Sequence, residues 1–89
     1  VRDAYDWEPA AERAAAIAGV EAPLWTETVA TMGDLEFLAF PRLAAVAEVG
    51  WSAPDRRDWE DFRRRLAAQG PRWTALGVNF SRSPQIPWP

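Results

Sequence analysis

The stretch GVEAPLWTETV, residues 19–29, puts an indole and a carboxylate two positions apart, at Trp25 and Glu27. If these residues lie on a strand, both side chains point to the same face of it. An indole can pack against the apolar C–H face of a pyranose ring, and a carboxylate can accept hydrogen bonds from two adjacent hydroxyls. The pair could therefore bind a sugar, although a core tryptophan beside a solvated glutamate gives the same pattern.

The composition excludes several other kinds of chemistry. The 89 residues include no histidine and no cysteine, which excludes a Ser-His-Asp triad, an imidazole metal ligand, a thiol nucleophile and a disulfide. The formal net charge is −3 and all ten basic residues are arginine, so no excess of positive charge favours nucleic acid or an anionic membrane. No apolar run approaches the roughly 20 residues that span a bilayer, and the first residues have no signal-peptide pattern. We expect no metal, no other cofactor and no nucleic-acid partner.

A strand is predicted at about residues 20–27, although Pro23 cannot donate to a β-ladder. Before it, residues 1–10 are predicted to be a loop. The alanine-rich residues 10–19 are predicted to form a short helix that ends at Gly19.

Two helices and a tail are predicted after the strand. The first covers about residues 34–50, with Asp34 as N-cap, Gly50 as stop and Pro41 as a kink or break. The second covers about 58–69, with Asp58 as N-cap, and Gly70 and Pro71 end it. PRWTALG, residues 71–77, is predicted to form one or two more helical turns. Residues 78–89 contain three prolines and are predicted to be an extended tail that lies on other structure.

One short strand cannot form a sheet by itself, because its backbone groups would remain unpaired. A strand that precedes a helix apolar on nearly all sides is typical of a βα unit, in which neighbouring elements cover both. The pattern predicts an α/β fold in which residues 1–89 are a single partial domain that belongs to a larger structure. An isolated chain of this kind would be mostly helical.

The chain resembles the C-terminal part of the catalytic domain of glycoside hydrolase family 20, the β-N-acetylhexosaminidases. The resemblance rests on LWTE at residues 24–27 followed by FPRLAAVAEVGW at 40–51, and it continues through DWEDFRRRLAAQGPRWTALGVNF to SPQIPW. AYDWEPA at residues 4–10 is similar to a segment before the family's last barrel strand.

The resemblance implies a C-terminal fragment of a TIM (β/α)8 barrel, with the last strand at about 20–27 and the outer helices after it. It implies that Trp25 lines the pocket for a terminal N-acetylhexosamine and that Glu27 accepts hydrogen bonds from ring hydroxyls that include the 4-OH. The partners would be N-acetylglucosamine- or N-acetylgalactosamine-containing glycans or chitin oligomers, and the rest of the barrel. The resemblance allows a secreted protein.

The mechanism implied by the resemblance is substrate-assisted, with the acetamido oxygen of the substrate as nucleophile. In the family an adjacent Asp-Glu pair on an earlier strand supports this step. These 89 residues contain no Asp-Glu dipeptide, so we expect sugar-binding residues here, no catalytic residue, and no activity of the isolated chain.

Several alternatives remain open from the residues alone. The chain could be a small tryptophan-rich helical module that binds a partner without catalysis. The acids at the start of the chain and the arginines in RRDWEDFRRR, residues 56–65, are interpreted as solvated or paired surface groups. The four tryptophans that follow residue 50 are interpreted as packing anchors; they are Trp51, Trp59, Trp73 and Trp88.

Overall fold

The computed structural model of the chain describes residues 1–8 and 16–89, and these form a helical structure without strands. None of the helices in the described ranges combines the length and apolar character that crossing a membrane requires. The helix predicted at 10–19 lies largely outside the described residues. The elements in chain order are α1 (Arg2–Tyr5), α2 (Met32–Ala39), α3 (Arg42–Trp51), a 3₁₀ turn (Pro54–Arg56) and α4 (Trp59–Ala75).

The core lies where α1, α3 and the tail meet one face of α4. Tyr5 of α1 stacks on Phe62 of α4, with ring centroids 4.8 Å apart. This contact explains why residues 2–5 form a helical turn where the sequence predicts a loop, since the turn brings an aromatic side chain into the core. The buried residues of this cluster are Tyr5, Ala45, Phe62, Leu66, Ala67 and Ile86.

The single helix predicted at about 34–50 is divided into α2 and α3. Phe40 is extended, with φ −110° and ψ 135°, and precedes Pro41 through a cis peptide bond. Proline lacks the N–H of a helical ladder and disfavours helical geometry in the residue before it, which accounts for the break. The predicted stop at Gly50 is wrong, because α3 continues to Trp51.

Helix α4 begins where the sequence predicts and is continuous where the sequence predicts a break between two helical pieces. Asp58 caps it by accepting from the backbone N–H of Glu60 at 3.0 Å. The predicted end at Gly70 is wrong, because the helix continues through Pro71 to Ala75. Gly70 serves close packing instead, since a Cβ there would lie 3.0 Å from the Trp88 ring.

The tail after α4 packs back on the helices. Phe80 is buried, and its ring lies 5.3 Å from the Trp73 ring and 5.0 Å from the Trp88 ring, measured between centroids. These contacts stabilise the last turns of α4 beyond Pro71. Trp51 differs from the other three predicted packing anchors, because it is 92% exposed in this chain.

An ion pair joins α3 to α4. Arg65 donates to both carboxylate oxygens of Glu48, at 2.9 and 3.0 Å, and its Nε donates to Asp61 at 2.7 Å. The hydrogen bonds from Arg65 hold the pKa of Glu48 below its ordinary value, and the Ser52 hydroxyl adds to the effect. Because the folded pKa is lowered, the pair stabilises the fold above the ordinary pKa of about 4.5, and this stability is lost as the pH falls through the folded value.

We expect Glu48→Gln to lower the free energy of unfolding at pH 7 by about 1–2 kcal/mol, since it removes a charged partner of a two-hydrogen-bond pair. Thermal melts of the complete protein at pH 7 and at stepwise lower pH measure the effect, and the wild type should lose its advantage below about pH 4.5. Glu60→Gln is the matched control, because its pair with Arg63 is exposed and should contribute less than about 0.5 kcal/mol. Equal losses in both variants at pH 7 would contradict the account.

Candidate functional site

Residues 20–24, which precede α2, run along α3 in the direction opposite to that of the helix. Val20 packs on Gly50, where an added Cβ would lie only 2.7 Å from the Val20 Cγ2 atom. Four residues later, Leu24 lines an apolar cavity together with Leu43, at the beginning of α3. From residue 20 to residue 24 the chain therefore runs from the C-terminal end of α3 towards its N-terminal end.

No strand forms at residues 20–27, so the sequence prediction is wrong for this chain as it stands. Within the described ranges, no backbone hydrogen bond joins residues 17–25 to another segment. A strand is defined by its ladder of hydrogen bonds to a neighbour, and none of the described residues supplies that neighbour.

Alternate residues of the segment lie on opposite sides. Ala22 and Leu24 line the apolar cavity against α2 and α3. Trp25 does not line that cavity, and its side chain is 75% exposed. Trp25 is therefore not part of the core formed by the described residues of this chain.

Glu27 lies two residues beyond Trp25, in a turn. The backbone N–H of Val29 donates to the Thr26 carbonyl at 3.1 Å and closes this turn, and Glu27 is exposed in it. The structure thus brings the indole and the carboxylate to neighbouring exposed positions at the end of the segment. Both groups are available to a ligand or to another part of the protein.

The turn is fixed at its far end by the N-terminal cap of α2. The Thr31 hydroxyl accepts from the Asp34 N–H at 3.1 Å, and the Asp34 carboxylate accepts from the N–H groups of Ala30 and Thr31 at 3.1 and 3.3 Å. The N-cap is therefore Thr31, and the prediction of Asp34 is corrected by three residues. A Thr-x-x-Asp spacing is close to the capping-box pattern, which was the available signal in the sequence.

The other groups considered from the sequence form local pairs. Asp6 accepts from Arg2 at 3.2 Å, and both side chains are exposed. Asp3 accepts from the Ala4 N–H, which lowers the pKa of Asp3. Arg63 pairs with Glu60, one helical turn away. No cluster of three acidic residues suitable for a metal ion occurs in residues 1–8 and 16–89.

Comparison with known proteins identifies the family. The model of the glycosyl hydrolase family 20 catalytic domain matches residues 1–54 of the chain. The chain belongs to glycoside hydrolase family 20. The resemblance in LWTE and FPRLAAVAEVGW is thereby confirmed at the level of the family.

Family 20 relatives also match the chain as a whole. A beta-N-acetylhexosaminidase of Cellulomonas fimi is 48% identical over 93 aligned residues, which cover 100% of this chain and 19% of the relative. The solved GH20 beta-N-acetylhexosaminidase of Streptomyces coelicolor A3(2) is 53% identical, with a TM-score of 0.93 over 100% of this chain and 19% of that one. A mutant Streptomyces plicatus beta-hexosaminidase in complex with product GlcNAc is 53% identical, with a TM-score of 0.88 over 96% of this chain and 18% of that one.

The chain corresponds to a small part of each protein that it matches. The chain spans about a fifth of the length of the relatives that it matches. A TM-score of 0.93 over the whole chain means that its backbone follows the corresponding part of a complete family 20 enzyme.

Proposed function

We propose that this chain is the C-terminal part of the catalytic barrel of a β-N-acetylhexosaminidase that hydrolyses terminal, non-reducing β-linked N-acetylhexosamine. The observation that carries the proposal is the match along the whole chain to a GH20 beta-N-acetylhexosaminidase, at 53% identity. The substrates would be glycans or chitin oligomers that end in N-acetylglucosamine or N-acetylgalactosamine.

In this proposal residues 20–27 are the last strand of a TIM barrel and α3 belongs to its outer layer. The antiparallel course of the segment along α3 supports this, because a strand and its following helix run in opposite directions in a βα unit. The contact of Val20 with Gly50 supports it too, since close strand–helix packing needs a small residue on one side. The unpaired backbone of residues 17–25 would then pair with strands contributed by the rest of the barrel.

Trp25 and Glu27 would lie at the carboxyl end of that strand, where TIM barrels bind their substrates. The exposed indole of Trp25 would pack against the apolar face of the sugar ring. The carboxylate of Glu27 would accept hydrogen bonds from ring hydroxyls, including the 4-OH.

The chemical step would take place on residues outside this chain. In substrate-assisted retaining hydrolysis the acetamido oxygen attacks the anomeric carbon as the glycosidic oxygen leaves with a proton from a general acid. The cyclic intermediate is then opened by water, which gives its proton to the same group. Trp25 and Glu27 would contribute by holding the sugar ring in the geometry that this attack requires.

The strand assignment predicts a difference in amide hydrogen exchange. In the isolated 89-residue chain the amides of residues 20–22, 24 and 25 should exchange at rates close to those of unstructured peptide, because they lack backbone partners among residues 1–8 and 16–89. In the complete enzyme the same amides should exchange at least about 100-fold more slowly, because neighbouring strands would pair with them. Amides of α4 serve as the internal control, and fast exchange of residues 20–25 in the complete enzyme would count against the barrel.

The site assignment predicts a loss of catalytic efficiency. In the complete enzyme, Trp25→Ala and Glu27→Gln should each lower kcat/KM on an aryl N-acetylglucosaminide by at least about tenfold, or about 1.4 kcal/mol of transition-state binding. The matched controls are Trp51→Ala, which removes another exposed indole, and Glu60→Gln, which changes an exposed glutamate of α4 outside the segment. Both controls should stay within about twofold of the wild type, and wild-type kinetics for Trp25→Ala and Glu27→Gln would remove the pair from the site.

A further inference from the structure

A long-range contact fixes the beginning of α2. The side-chain amide of Asn79 donates to the carbonyl of Gly33 at 3.0 Å, across 46 positions of the chain. The backbone N–H of the same residue donates to the carboxylate of Glu36 at 2.5 Å. Asn79 is thus bonded to two residues in the first turns of α2, through one side-chain donor and one backbone donor.

The end of α4 determines where Asn79 lies. Gly77 has a positive φ of 77°, and its N–H donates to the Thr74 carbonyl at 3.1 Å. The N–H of Val78 donates to the Trp73 carbonyl at 2.9 Å. This pair of bonds is a Schellman motif, which ends the helix and turns the chain in a defined direction. Asn79 follows at once, so its position is set by the packed helix α4.

A short series of hydrogen bonds connects Asn79 to the proposed sugar site. Gly33 lies between Thr31 and Asp34, the two residues of the capping box. The Asp34 carboxylate accepts from the N–H of Ala30. Ala30 directly follows Val29, whose N–H closes the turn around Glu27. Each hydrogen bond in this series joins residues that are close in the sequence, except the bond from Asn79 to Gly33.

We propose that Asn79, together with Glu36, is a positioning residue for Glu27. The capping box makes the turn rigid relative to α2, and Asn79 holds the beginning of α2 relative to α4. Asn79 thereby sets the position from which the Glu27 carboxylate reaches the sugar hydroxyls. This inference rests on the proposed function, and it adds a specificity determinant about 50 residues away in the sequence from the group that it positions.

The contact of Asn79 with α2 consists of directional hydrogen bonds and not of apolar packing. The Gly33 carbonyl can accept a second hydrogen bond while it takes part in the helix, because a carbonyl has two lone pairs. The bond from the Asn79 N–H to Glu36 is charge-assisted, which makes it shorter and stronger than a neutral one. Both bonds are directional, so they fix the location of α2 more sharply than apolar contacts do.

The test compares two substrates that differ at the hydroxyl assigned to Glu27. The complete enzyme is assayed with the 4-nitrophenyl N-acetyl-β-glucosaminide and -galactosaminide, which have opposite configurations at C4, and the ratio of their kcat/KM values is the readout. Asn79→Ala should change this ratio by about 3- to 10-fold, in the same direction as Glu27→Gln, because loss of one hydrogen bond has this order of effect. In a Glu27→Ala background, Asn79→Ala should leave the ratio unchanged, since the side chain that it positions is then absent.

Matched variants separate positioning from loss of stability. Gln85 also bonds the tail to another element, by accepting from the Arg2 N–H at 3.2 Å, so Gln85→Ala should lower stability without changing the ratio. Glu36→Gln keeps an oxygen that can accept from the Asn79 N–H and should preserve the ratio within about twofold, whereas Glu36→Ala should change it. If Asn79→Ala does not fold, Asn79→Leu is assayed in its place, because leucine has a similar size and branching but no donor for the Gly33 carbonyl.

The outcomes are distinct. A ratio that is unchanged in the folded Asn79 variant, while Glu27→Gln changes it, would overturn the positioning role and leave the function of Glu27 intact. A ratio that is unchanged by Glu27→Gln itself would overturn the assignment of Glu27 and the inference with it. A change in the Asn79 variant that persists in the Glu27→Ala background would also overturn the inference, because the effect would then act through another group.

Discussion

The close approach of Val20 to the α-carbon of Gly50 is the contact on which the position of the candidate site depends. It leaves no room for a Cβ on the helix, since that atom would lie 2.7 Å from the valine methyl. The contact fixes where the segment before α2 crosses α3 and in which direction it continues. From that starting point, alternation of side chains puts Leu24 against the helices and leaves Trp25 on the other side.

The same geometry explains why so much apolar surface is exposed in the chain. Leu38 and Leu43 line the cavity beside residues 22–24, yet they are 47% and 40% exposed. Helices that are apolar on several sides need cover from several directions. About four-fifths of the length of the relatives lies outside the part that this chain matches, and the rest of a family 20 enzyme is expected to supply such cover.

Local chemistry in the sequence predicts part of the fold. The acceptor at Asp58 begins α4, and Pro41 interrupts the run between residues 34 and 50, because caps and proline act over a few residues. The end of α4 was not predictable in this way. Gly70 and Pro71 resemble a stop signal, and the helix continues through them because residues of the tail pack on its last turns.

The candidate site was predictable to a different extent for each of its parts. Trp25 and Glu27 are separated by one residue in a motif that is specific to a family, so pattern alone pointed to them. The capping residue Thr31 had a weak signal in its spacing to Asp34. The role of Asn79 had none, because its partners are 43 and 46 positions away and are brought together only by the folding of α2 against the end of α4.

The central claim is that Trp25 and Glu27 hold the terminal sugar while groups elsewhere in the barrel cleave its bond. A crystal structure of the complete enzyme with bound N-acetylglucosamine measures this directly. The account predicts that the Glu27 carboxylate lies within about 3 Å of at least one ring hydroxyl and that the Trp25 indole is in van der Waals contact with the sugar ring. A sugar bound in the barrel with neither residue in contact with it would contradict the account.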